Sequence, residues 1–98
     1  MKVYKGDRTI DGIVVTVDGS PLPERRDLMD LSDDGFEWSF EGEAPAQLAL
    51  ALLSDHLGDD ARAVRLHEPF MREIVANFAN EWAMTSADIE EAVKALEG

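Results

Sequence analysis

The sequence predicts an α+β domain, a small antiparallel sheet of about three strands in the N-terminal half packed against three helices in the C-terminal half. Three observations lead there. Ile13-Val14-Val15-Thr16-Val17 is nearly all β-branched and lies between the turn dipeptides Asp11-Gly12 and Asp18-Gly19. Phe36-Glu37-Trp38-Ser39-Phe40 alternates strictly, with aromatic rings on one face and Glu37 and Ser39 on the other. From Ala46 onward, apolar residues recur at helical rather than strand spacing.

Taken in order, Val3–Lys5 is a short strand and Ile13–Val17 a longer one. Asp18-Gly19 joins the latter to Ser20-Pro21-Leu22 in a hairpin-like arrangement, and Pro21 and Pro23 confine the next few residues to a loop or sheet edge. Residues 23–35 read as a polar connector tacked to the core by Leu28, Met29 and Leu31. Phe36–Phe40 is expected to be a half-buried strand whose rings wall the core. Gly42-Glu43-Ala44-Pro45 opens a helix, because proline in the first turn lacks only an N–H that would be unpaired there. Ala46–Leu57 is apolar nearly all round, which marks a central buried helix, and Gly58 stands where a left-handed C-cap belongs.

Asp59 or Asp60 caps the next helix, expected from about Ala61 to Phe78, with Val64, Met71, Ile74, Val75 and Phe78 inward. Pro69 is expected to kink or split it near Leu66. Asn80-Glu81-Trp82-Ala83 reads as a link between helices. Thr85-Ser86-Ala87-Asp88 is an acidic capping box that starts a last helix, with Ile89, Ala92, Val93 and Leu96 on one face. The whole of 1–98 suits a single domain, strand-rich over 1–42 and helical over 43–98, large enough for one core.

Three blocks together resemble a small, functionally uncharacterised domain family of bacteria, archaea and phages. They are YKGDRTIDGIVVTVDG (4–19), GFEW (35–38) and PAQLALALLSDHLGD (45–59). The resemblance covers nearly the whole chain and implies a small stand-alone α+β domain. It implies no activity, cofactor or site residue. Family members run through the second helix without a proline, so Pro69 is a departure.

Acid dominates the charge. Asp plus Glu number 21 against nine Lys plus Arg, a formal net charge of −12, and lysine occurs only at 2, 5 and 94. The acids are spread evenly: residues 1–42 carry ten against five bases, and 43–98 carry eleven against four. With 45% hydrophobic residues the chain is an ordinary globular sequence, not a disordered acidic tail. Such a surface fits concentrated salt: near 1 M the Debye length is about 3 Å, which screens self-repulsion while the carboxylates keep the surface hydrated. The same charge argues against nucleic-acid or anionic-membrane partners.

Absence of cysteine excludes disulfides, zinc–thiolate sites, iron–sulfur clusters and thiol nucleophiles, and fits a cytoplasmic protein. The N-terminus lacks the apolar core of about 7–15 residues that a signal peptide needs. The longest apolar run, Leu48–Leu53, falls far short of the roughly 20 residues that span a bilayer.

The tightest polar cluster is Asp55, His56, Asp59 and Asp60, followed by His67 and Glu68. An antiparallel helix pair would collect four carboxylates and an imidazole at its junction, where a divalent metal accepts such ligands. The spacing matches no established metal motif, and helix capping plus solvation accounts for the same residues. Ser54, His56 and Asp55 lie on one helix turn but point apart, with no nucleophile elbow. Arg62, Arg65 and Arg72 form a helical stripe for which pairing with nearby acids such as Glu68 and Asp59 is the simpler account. No glycine-rich phosphate loop or interleaved basic–aromatic pattern is present.

No catalytic residue, cofactor or metal is therefore assigned. The expectation is a non-catalytic interaction or accessory domain adapted to high salt, whose partner is another protein or a second copy. Leu28, Met29, Leu31, Trp82 and Met84 are the candidate exposed apolar patch for that role. An acidic mimic of DNA and a small divalent-metal-binding protein are the alternatives.

Overall fold

Two tight turns and a β-branched run build the first half of the fold. In the computed structural model, which covers residues 1–98, the order is β1 (Val3–Thr9), β2 (Gly12–Val17), β3 (Ser20–Pro21), α1 (Glu43–Leu57), α2 (Asp60–Glu73), a 3₁₀ turn (Val75–Asn77), β4 (Glu81–Thr85) and α3 (Ser86–Glu97). Asp18 and Gly19 both have positive φ, 49° and 84°, which matches the right-handed twist of the β2–β3 hairpin. Val17 there pairs with Ser20. The sheet order is β3-β2-β1-β4, with every neighbour antiparallel. The fold is α+β, four strands against three helices.

The pleat puts Tyr4, Gly6 and Arg8 of β1 on one face, opposite Val17, Val15 and Ile13 of β2 and, for Tyr4 and Gly6, Met84 and Trp82 of β4. That face meets α1, which is buried without interruption from Pro45 to Ser54 as its all-round apolar composition requires. Gly58 closes α1 at φ 62°. The Asp59 side chain caps α2 by accepting from the Arg62 N–H, and Thr85 and Asp88 form the reciprocal capping box of α3.

Several sequence expectations are corrected. Phe36–Phe40 is not a strand: the segment is irregular, Ser39 sits at φ 78°, and its N–H donates to the Val75 carbonyl rather than to a ladder. Only Trp38 of its three rings is fully buried, while Phe40 is half exposed. The fourth place in the sheet is taken by Glu81–Thr85, where the sequence suggested a link between helices. Trp82 fits there because Gly6 faces it, and a Cβ at Gly6 would overlap the Trp82 indole.

The second helix passes through Leu66 and Pro69 and ends at Glu73, so the expected split near Leu66 does not occur. Its buried side chains are Ala63, Leu66, Phe70 and Met71, a stripe rotated from the expected one. Nor is there a free apolar patch of the expected composition. Leu28, Met29, Leu31 and Met84 are half-buried against the core, and Trp82 is buried.

Gln47 supplies the tie between the connector and α1. It is fully buried and accepts from the Leu31 N–H at 2.8 Å. Its amide donates to the Glu24 and Met29 carbonyls at 2.6 and 3.0 Å. Three backbone groups of an otherwise irregular segment thus find partners in one side chain.

Candidate functional site

The six residues considered as metal ligands do not converge. Asp55 accepts from the Tyr4 hydroxyl at 2.6 Å and from Lys2 Nζ at 3.1 Å. Burial of Tyr4, reinforced by the Asp55 carboxylate, pushes its phenol well above the ordinary tyrosine value. His56 Nε2 lies 2.8 Å from Glu90 Oε1, and that bond holds the Glu90 carboxyl below the usual glutamate range. Asp59 caps α2, and Asp60 pairs with Arg25 at 3.2 Å. His67 Nδ1 faces the Val64 carbonyl, while Glu68 pairs with Arg72 one turn along α2. No three His, Asp or Glu side chains gather as a metal-holding set.

The arginine stripe also divides. Arg62 and Arg65 both reach Glu97 of α3, at 2.8 and 3.3 Å, and depress its carboxyl; Arg72 stays with Glu68. The Ser54 hydroxyl donates to the Leu50 carbonyl, so it is spent on its own helix and away from His56. Seven of the nine Lys and Arg side chains are ion-paired, and those pairs use eight of the 21 carboxylates. Internal pairing therefore leaves most of the acid uncompensated.

An aromatic cluster closes the end of the core beside β4. Trp38 and Trp82 meet edge to face at 5.8 Å, and Phe78 stacks on Trp82 at 4.4 Å. Arg8 lies over the Trp38 ring at 4.6 Å while donating to Asn80 Oδ1, Glu37 Oε1 and the Trp38 carbonyl, each at 2.7 Å. That one guanidinium pins residues 37–38 where the alternating pattern had promised a strand. Neither buried indole N–H has a hydrogen-bond acceptor.

What the polar side chains do not offer, the sheet edge does. Hydrogen-bonded pairs alternate along antiparallel strands. The Ser86 N–H donates to the Lys2 carbonyl, so Trp82 and Met84 direct their backbone groups toward β1, while Glu81, Ala83 and Thr85 direct theirs outward. Thr85 is occupied by the α3 cap, its N–H donating to Asp88 Oδ2. The N–H and C=O of Glu81 and Ala83 have no partner, and both residues are exposed.

The opposite edge is different. There β3 is two residues long and ends in Pro21, which has no N–H to offer. A depression of ≈ 440 Å³ lies on the outer sheet face over the Gly6–Trp82 pair, walled by Lys5, Asp7, Glu81 and Ala83, and adjoins the open edge. The signal for β4 was present in the sequence as Glu81-Trp82-Ala83-Met84-Thr85, where Trp82 and Met84 alternate with polar or small residues, but the flanking helices obscured it.

The class defined here is a small α+β domain with a sheet edge cut short at Pro21 and an open edge at β4, and with no metal-holding cluster of His, Asp or Glu. Within that class the chain belongs to the family of unknown function DUF6166, whose model matches residues 4–95 and so spans the blocks at 4–19, 35–38 and 45–59. Comparison with curated proteins and with solved structures found no match in either. No helix is long and apolar enough to cross a membrane.

Proposed function

We propose that this chain is a non-catalytic, cytoplasmic interaction domain adapted to concentrated salt, and that it docks through the edge of β4. The observation that carries the reading is the asymmetry of the sheet. One edge is cut short at Pro21, while the other presents the unpaired backbone of Glu81 and Ala83 with no lysine, proline or bulge to guard it. Strand addition at such an edge draws affinity from main-chain hydrogen bonds, which salt screens far less than ion pairs. That suits a chain whose thirteen carboxylates without a Lys or Arg partner, the 21 less the eight so paired, would hinder association in dilute buffer.

The test is a pair of baits, the natural chain and Ala83→Pro, applied to an extract of the source cells in about 2 M KCl, where screening is nearly complete. Proline at 83 removes an outward N–H and leaves the β1–β4 ladder intact. Specific retention by the natural chain, lost with Ala83→Pro, supports the reading. Equal retention by both baits, or none by either alongside a monomeric chain, sinks it.

A further inference from the structure

We infer that the occupant of the β4 edge is a second copy of this chain, joined by a two-fold axis through Ala83 into a continuous eight-stranded sheet. The inference rests on the docking role of that edge and specifies its partner.

The edge is complementary to itself. Antiparallel pairing centred on Ala83 makes the two alanines a hydrogen-bonded pair, each N–H donating to the other's carbonyl. In that register Trp82 falls opposite Met84 of the partner strand, apolar against apolar, on the face that bears the core. Glu81 falls opposite Thr85, so no like charges are apposed. The Thr85 carbonyl can accept from the facing Glu81 N–H with its second lone pair, even though the Thr85 N–H is committed to Asp88. Ala83 itself is small and exposed, so two copies approach without a side-chain clash.

Closure also favours a second copy. A two-fold contact through Ala83 uses the β4 edge of both chains at once, so this pairing closes at two. Two bodies of formal charge −12 repel in dilute buffer. At about 2 M salt the screening length falls below the separation of most surface charges, and backbone pairing with the Trp82–Met84 contact then decides the outcome. Assembly should therefore strengthen with salt, opposite to the behaviour of a docking site built on ion pairs.

The chain has no cysteine, so a single introduced thiol reports on the axis directly. Hydrogen-bonded antiparallel pairs hold Cα atoms about 5.5 Å apart, within the range of about 4.4–6.8 Å that a disulfide bridges. Under mild oxidation in about 2 M KCl, Ala83→Cys should cross-link at least about tenfold faster than the exposed control Ala61→Cys, because the paired state makes the step intramolecular. The advantage should shrink at about 0.1 M KCl. Sedimentation equilibrium of the natural chain should show the mass shift from monomer toward dimer over the same change.

If Ala83→Cys cross-links no faster than the control, or the natural chain remains a monomer in about 2 M KCl, the second-copy inference is overturned. If the chain is monomeric yet its bait retains a different protein in an Ala83→Pro-sensitive manner, the second copy is refuted while the docking role stands. If both tests fail, both readings fall.

Discussion

Gln47→Leu should destabilise the domain by about 3 kcal/mol without altering its helix content. Gln47 is 0% exposed on α1 and satisfies the Leu31 N–H and the Glu24 and Met29 carbonyls. Leucine is of similar length and apolar, so the core loses little packing, but all three connector groups lose their partner. At about 1 kcal/mol per bond the loss is about 3 kcal/mol, with partial access to water setting the lower side of the range. For a chain of this size that corresponds to a fall in Tm of about 12–24 °C. Thermal unfolding followed by circular dichroism in about 2 M KCl, where charge repulsion is screened, isolates the effect. Amide exchange at Leu31 should accelerate together with the loss. A change below about 0.5 kcal/mol would mean that the connector is held by Leu28, Met29 and Leu31 alone, and that the polar tie does not matter.

Gly6→Ala should lose about 1–3 kcal/mol and change the near-ultraviolet tryptophan signal, since a Cβ there overlaps the Trp82 indole and must displace it; an unchanged melt and spectrum would contradict the β1–β4 register. Thr85→Ala should lose about 1 kcal/mol through the capping box of α3, readable in the same melts, and a neutral result would contradict that cap. The pH dependence has a definite sign. Glu90, Glu97 and Asp27 are held below their ordinary values chiefly by hydrogen bonds to His56, Arg62 and Arg25 respectively. Their stabilisation is therefore present above the unfolded carboxylate range, near about pH 4, and is lost as pH falls through the depressed folded values. In dilute buffer a shift from about pH 7 to about pH 5 acts oppositely, raising stability by trimming self-repulsion. Melts across pH at low salt should thus pass through a maximum, and a monotonic fall from about pH 7 would refute the role given to repulsion.

Much of the fold was legible because its signals are local. Thr85 and Asp88 cap one another within one turn, Gly58 and the Asp18-Gly19 pair carry the positive φ that their turns need, and Pro45–Ser54 is apolar on nearly every side. These features depend on neighbours in sequence. A strand depends on who lies beside it, and there the sequence misled. Phe36–Phe40 alternates well, yet Arg8 binds the Trp38 carbonyl and Ser39 turns left-handed, so no ladder forms. Glu81–Thr85, wedged between helices, becomes a strand because Gly6 makes room for Trp82, a relation between residues 76 positions apart.

The candidate site was less legible still. Asp55, His56, Asp59, Asp60, His67 and Glu68 are close in sequence, but Gly58 turns the chain between them and each finds its own partner. An open edge is defined by backbone groups that lack partners, and no side-chain pattern announces it.

The most direct measurement is hydrogen exchange at the Ala83 and Glu81 amides in about 2 M KCl, compared between dilute and concentrated protein with Trp82 and Met84 as internal controls. Trp82 and Met84, bonded to β1, should be protected at every concentration. Ala83 and Glu81 should exchange freely when dilute and become protected as the chain is concentrated. Protection of Ala83 that is already complete in dilute protein, or that never appears at any concentration, would contradict pairing through the β4 edge.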